Sequence, residues 1–227
     1  MKGRLFGGFL VMVIVAVTGL LPMSAAQAQT VLPKQFTLTI TELICVDDQQ
    51  GEVAADEPYV LFGAIKPSSG FIPFALVQSR SAFFDQVDTG DRRTIGKVLI
   101  NNEALADNGA AEDAIGVFVQ TVERDRTLSG SLDKVVAPAQ SRAQEAFQDA
   151  IFDGITSVSQ LTSTTGTALN AGVVAGGQDD TIGAARQTVF TSSQINGLAV
   201  NGELSRTLRG SGNGAIYEVV VVLKRTQ

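Results

Sequence analysis

The run AIYEVVVVLKR, Ala215 to Arg225, constrains the fold most: it is β-branched, and from Val219 to Leu223 it is apolar at both parities. Such a segment suits an interior strand of a sandwich rather than an exposed edge. QFTLTITELICV, Gln35 to Val46, puts Phe36, Leu38, Ile40, Leu43 and Cys45 near one face with threonines opposite, the pattern of a half-buried strand. PYVLFGAI from Pro58 to Ile65, TIGKVLINN from Thr94, AIGVFVQTVE from Ala114 and AARQTVF from Ala184 extend the series. Gly210-Ser211-Gly212-Asn213-Gly214 precedes a strand-like run and has no Lys-Ser/Thr after it, so it reads as a turn and not as a phosphate cradle.

One region departs from this strand pattern. From Pro138 to Leu161, Ala143, Ala146, Phe147, Ala150, Ile151, Ile155 and Val158 recur at helical spacing, with Arg142, Glu145, Asp149 and Asp153 on the other face. This predicts an amphipathic helix, with Pro138 in its first turn and Ser141 with Gln144 as a capping pair. Its polar face is not basic, so the apolar stripe is expected to pack on the domain and not on a membrane. The next stretch, TSTTGTALNAGVVAGGQ, fits either a loose linker or a second helix of small residues packed closely on the first. Residues from about 128 to 178 therefore read as a helical excursion between two strands.

At the N-terminus, Lys2 and Arg4 precede an apolar run from Leu5 to Leu21, followed by Pro22 and small residues. The run is short for a membrane span, and the pattern predicts a signal peptide over residues 1–28, cleaved at Ala26-Gln27-Ala28, with a mature chain starting near Gln29. Residues 29–227 are expected to form a single β domain, mainly antiparallel, carrying the helical insertion. The location expected is periplasmic or extracellular.

The chain carries 17 basic and 23 acidic residues, a net charge of −6, and loss of the leader removes basic residues only. No Lys/Arg cluster offers a phosphate footprint, which argues against nucleic acid as a partner, and anionic lipid would repel such a chain unless a cation intervened. With no histidine in the sequence, Ser-His-Asp and Cys-His nucleophiles, histidine bases and His-rich zinc sites are excluded. Tryptophan, the usual sugar platform, is absent too, and no G-x-S-x-G occurs. These absences favour a non-catalytic protein. Cys45 is the single cysteine, so no intrachain disulfide forms, and its step in an alternating run suits a buried small hydrophobe.

If the excursion is set aside, Glu123-Arg124-Asp125-Arg126 joins Asp179-Asp180-Thr181-Ile182-Gly183 in one acidic loop. Asp56-Glu57-Pro58-Tyr59-Val60 follows the first strand in the same way. In these three motifs, and in the closing strand, the chain resembles the C2 domain family, whose calcium loops carry D-x-D-R followed by D-x-I-G and whose first acidic loop ends in D-P-Y-V. The resemblance implies an antiparallel β-sandwich of eight strands with acidic loops meeting at one end, and calcium held there. It implies Asp48, Asp56, Glu57, Glu123, Asp125, Asp179 and Asp180 as metal ligands. Asp47 is an alternative to Asp48, and Asp56 and Glu57 compete for one role. Glu57 and Glu123 stand where the family has Asp, and the third loop carries the insertion.

A hard dication takes six to eight oxygen ligands, which a His-free acidic chain supplies. Two carboxylates about 4 Å apart repel by roughly 4 kcal/mol at an effective dielectric near 20, so converging acidic loops call for a cation. The opposite reading spreads the acids over exposed turns, where Arg124 and Arg126 pair some of them at less than about 1 kcal/mol each. Three functions follow: a calcium-dependent module binding a protein, a polysaccharide or a lipid headgroup; an exported structural or interaction protein without functional calcium; or, third in order, a metal-dependent enzyme.

Overall fold

The computed structural model describes residues 33–48, 57–105, 114–124, 133–176 and 179–227. All of them belong to the compact unit Leu32–Gln227. The expected leader, residues 1–28, lies outside the described residues.

The elements run β1 (Gln35–Asp47), β2 (Pro58–Pro67), β3 (Phe74–Arg80), β4 (Arg92–Ala104), β5 (Ile115–Arg124), α1 (Asp133–Phe152), α2 (Val158–Gly176), β6 (Asp179–Thr181), β7 (Arg186–Phe190), α3 (Ser192–Gly197), β8 (Glu203–Gly212) and β9 (Ala215–Arg225). Every pairing among them is antiparallel. One sheet has the order β4-β1-β9-β8; the other has β3-β2-β5-β6, with β7 also paired to β5. The chain is thus a mainly antiparallel two-sheet sandwich, as its strand patterns predict.

Two apolar layers hold it together. Between the sheets, Leu38, Ile40, Val60, Phe62, Val117 and Val221 form one core. On the outer face of the five-stranded sheet, Tyr59, Leu61, Phe118 and Val122 meet Ala139, Phe147, Leu161 and Leu169 from the helices. β2 and β5 are consequently buried on both faces along almost their whole length. Fully burying an aliphatic side chain contributes about 1.5–3 kcal/mol, so the helical layer adds substantially to stability.

The two-faced apolar run of β9 has a different origin. β9 lies between β1 and β8, as expected of an interior strand. Its inward residues Val219, Val221 and Leu223 are buried, whereas Val220 and Val222 on the outer face are half-buried. In β1 the apolar positions change parity between Ile40 and Leu43. The strand accommodates this with a register shift between Ile40 and Glu42 toward both neighbours, and the Thr41 hydroxyl donates to the Val220 carbonyl there (3.2 Å). The extra residue lets both halves of β1 face the core. Cys45 is buried, as its position suggested.

The helical region corrects the sequence reading in three places. α1 begins at Asp133, so Pro138 stands inside the helix, not in its first turn, and Ser141 with Gln144 lies mid-helix, not at a cap. The predicted single helix over 138–161 is two helices. Gly154 has φ +82°, a left-handed conformation that ends α1 at negligible steric cost and lets Ile155 donate back to the Ala150 carbonyl (2.9 Å). The small-residue stretch is the second helix of the two open alternatives. A Cβ placed on Gly172 would come 2.5 Å from Ala139 Cα, so the two backbones touch where small residues meet.

Candidate functional site at the acidic strand ends

β1 ends, β2 begins, β3 ends, β4 begins, β5 ends and β6 begins at one end of the sandwich. The register of the five-stranded sheet sets the acids there. Pro58 pairs with Glu123, and Glu123 pairs with Asp180, so three segments distant in sequence meet in one line across β2, β5 and β6. Arg124 pairs with Asp179 in the next rung, which places Asp179 beside them by its backbone.

Glu57 stands immediately before β2. The Arg124 amide donates to its carbonyl (3.3 Å), and the Arg124 guanidinium lies 3.6 Å from its carboxylate. The same guanidinium lies over the Phe83 ring, 4.7 Å from the centroid, and Phe83 meets Tyr59 edge-on at 5.2 Å. Stacking and ion pairing together fix Arg124 against the first acidic segment.

The 180–183 turn is tied down from two sides. Ile182 donates its amide to the Thr121 carbonyl (3.0 Å), and Gln120 Nε2 donates to the carbonyls of Thr121 (2.9 Å) and Gly183 (3.0 Å). Gly183 adopts φ +70° with its Cα packed against Ser211 and Gly212 at the end of β8, a space that admits no side chain. The D-x-I-G spacing therefore has a local reason: the aspartate reaches the strand end, the isoleucine enters the core at 1% exposure, and the glycine turns against β8.

Asp48 follows β1 in the other sheet. Its amide donates to Thr89 Oγ1 (3.0 Å), and the Thr89 hydroxyl donates to Asp48 Oδ1 (2.6 Å). That hydroxyl holds the Asp48 carboxyl below its usual range. Asp56 and Asp125 lie outside the described residues, as does the Asp179 side chain. Among the described residues no group of three acidic side chains stands close enough to hold a metal ion. The donor set of carboxylate oxygens without imidazole suits a hard cation, but its described members do not by themselves surround one. Closure would depend on Asp56 and Asp125.

Two contributors to this end were not foreseen from sequence. Gln120 sits in an apolar run, and Thr89 lies in a polar connection. Neither has a periodic signature. Ser131 and Lys134 stand at S-x-x-K spacing; both side chains lie outside the described residues.

No protein-family model matches the chain, and no curated protein does. Among solved structures, it is similar to a C2 domain of a plant extended synaptotagmin, at 7% identity and a TM-score of 0.35, covering 86% of this chain and 97% of that one. It is also similar to human GIVD cytosolic phospholipase A2, at 10% identity and a TM-score of 0.39, covering 86% of this chain and 16% of the phospholipase. A third is a chain from a study of CC2D1B, at 8% identity and a TM-score of 0.35, covering 87% of this chain and 57% of that one.

Proposed function

We propose that this protein is an exported, C2-like binding module that takes up calcium at its acidic strand ends and so orders loops that engage a protein, a surface polymer or a lipid headgroup, without turnover. The observation that supports this most is the Pro58–Glu123–Asp180 line. It sets Glu57, Glu123 and Asp180 at one strand end, next in sequence to Asp56 and Asp125. Export rests on the Lys2, Arg4 and Leu5–Leu21 pattern. Calorimetric titration of the purified protein with calcium tests the reading, repeated after Asp125→Asn and Asp180→Asn. Uptake in the millimolar range of extracellular modules, weakened in both variants, is the expected result. No uptake at millimolar calcium removes the proposal, and equal binding by both variants removes the site.

A second reading is an exported structural or interaction protein without functional calcium. It is favoured by the partners that two of the acids already have: Arg124 for Glu57 and Thr89 for Asp48. A protein that melts identically with calcium and with chelator would support it.

A further inference from the structure

The end of the sandwich opposite the acidic segments carries a feature that the calcium reading does not use. Between β3 and the second half of α1 lies a cavity of about 360 Å³, lined by Phe74 and Leu76 from the strand and by Phe147 and Ile151 from the helix, with Gln144 and Gln148 beside it. Its size falls within the range of sites that take a side chain or a small ligand. Ile72, 44% exposed, and Phe152, 80% exposed, also line it, and Phe71, next to Ile72 in sequence, is fully exposed. Large apolar side chains gathered on a surface in this way mark an interaction site.

β3 supplies a second, independent feature. Among the described residues this seven-residue strand pairs with β2 alone, so it is the edge of its sheet. An edge strand presents a row of backbone donors and acceptors to any chain that can lie alongside. α1 crosses the strand further along, where Gln78 Nε2 donates to the Gln140 carbonyl (3.1 Å). The edge and the cavity therefore share Phe74, Ala75 and Leu76.

Charge indicates the flanks of the occupant. From Gln144 to Ser157 the chain carries Glu145, Asp149 and Asp153 and no basic residue, and the 68–73 loop carries no charge. The three acids are exposed, and α1 ends here with no basic residue in its last turn. The helix C-terminus adds to the negative potential.

We propose that this groove binds an extended peptide segment of a partner protein, which adds to β3 as a further antiparallel or parallel strand, sets one aromatic or branched apolar side chain into the cavity and carries Lys or Arg where it runs beside α1. Backbone pairing supplies affinity and the cavity supplies selectivity, the division of labour of strand addition. Phe71 and Phe152 cover the bound segment at its rim.

The test uses the purified protein and three synthetic peptides. The first alternates Val and Thr about a central Phe with a Lys at each end; the second replaces Lys by Glu; the third keeps the Lys and carries N-methyl groups on alternate backbone amides. Binding is read from amide chemical shifts of Ala75 to Ser79. The first peptide is expected to shift these amides, and N-methylation to weaken it by about ten-fold or more, the loss of two or three backbone hydrogen bonds. Glu-flanked peptide binds more weakly than Lys-flanked. The double variant Ile72→Ser with Phe152→Ser, both exposed positions, keeps its fold and loses most of the affinity. Any of four results overturns the proposal: the N-methylated peptide binding as well as the first, the Glu-flanked peptide binding as tightly, shifts of the same amides on concentrating the protein alone, which would make a second copy the occupant, or shifts only with phosphatidylcholine vesicles. Calcium titration is independent of all four.

Discussion

Glu123 and Asp180 are direct partners across the β5–β6 ladder, two acids where cross-strand neighbours of opposite charge would be the stabilising arrangement. Without a cation, Asp180→Asn removes a like-charge pair and should leave stability unchanged or raise it by up to about 1 kcal/mol. With calcium at about a hundred times its dissociation constant, the wild type gains roughly 2.7 kcal/mol, most of which the variant lacks. Thermal melting with chelator and with calcium should therefore invert the order of the two proteins. The same order in both conditions would remove calcium from this rung.

Gln120 is buried and bonds the Gly183 carbonyl, while its own Oε1 has no hydrogen-bond partner in the structure. Gln120→Leu loses about 1 kcal/mol of hydrogen bonding and recovers part of it by removing the unpaired oxygen. Global stability should thus change little, while the 180–183 turn loosens. Hydrogen exchange at the Ile182 amide should quicken, with α1 and α2 unaffected; uniform quickening across the chain would contradict this positioning role.

The Asp48–Thr89 contact makes a pH prediction. When folded, Asp48 titrates below its ordinary value because the Thr89 hydroxyl donates to its carboxylate. A depressed folded value contributes stability that is present above the unfolded value and lost as pH falls through the folded one. Thr89→Ala should move the Asp48 carboxyl upward in an NMR titration and flatten the acid limb of the stability curve. An unmoved titration would show that the hydroxyl does not set it.

Gly172 and Gly197 should respond oppositely to alanine. In an open helix the change gains up to about 1 kcal/mol. At Gly172 the new Cβ meets the Ala139 backbone, and forcing the helices apart costs about 1–3 kcal/mol, so the melting temperature should fall. At Gly197 nothing lies within 4 Å, and the melting temperature should hold or rise.

The strands were legible where one or both faces are apolar. The reading of Ala215 to Arg225 matches β9 residue for residue, and β1, β2 and β5 fall within two residues of their patterns. β8 was not, because its alternation sets Ser205, Thr207 and Arg209 between Leu204, Arg206 and Leu208, a strand whose outward side chains carry no apolar signal. β3 begins one residue after Pro73, and turn residues masked it. The helix boundary failed because periodicity continues through Asp153–Ser157, while the break is made by one backbone angle at Gly154. Of the acidic site, residue types and order along the chain were legible; which of them share a rung was not.

Sequence by itself determined the composition of each layer: period-two runs for sheets, a period near 3.6 for the amphipathic helical stretch, and oxygen donors without imidazole near the strand ends. Those are local properties, set by side-chain volume and hydration along a single segment. Only tertiary structure decided that Pro58, Glu123 and Asp180 stand in line, that Arg124 turns to Glu57, and that the edge of β3 borders an apolar cavity. Each of these depends on register and on which face a helix covers, and both are settled by the burial of whole surfaces between segments far apart in the chain.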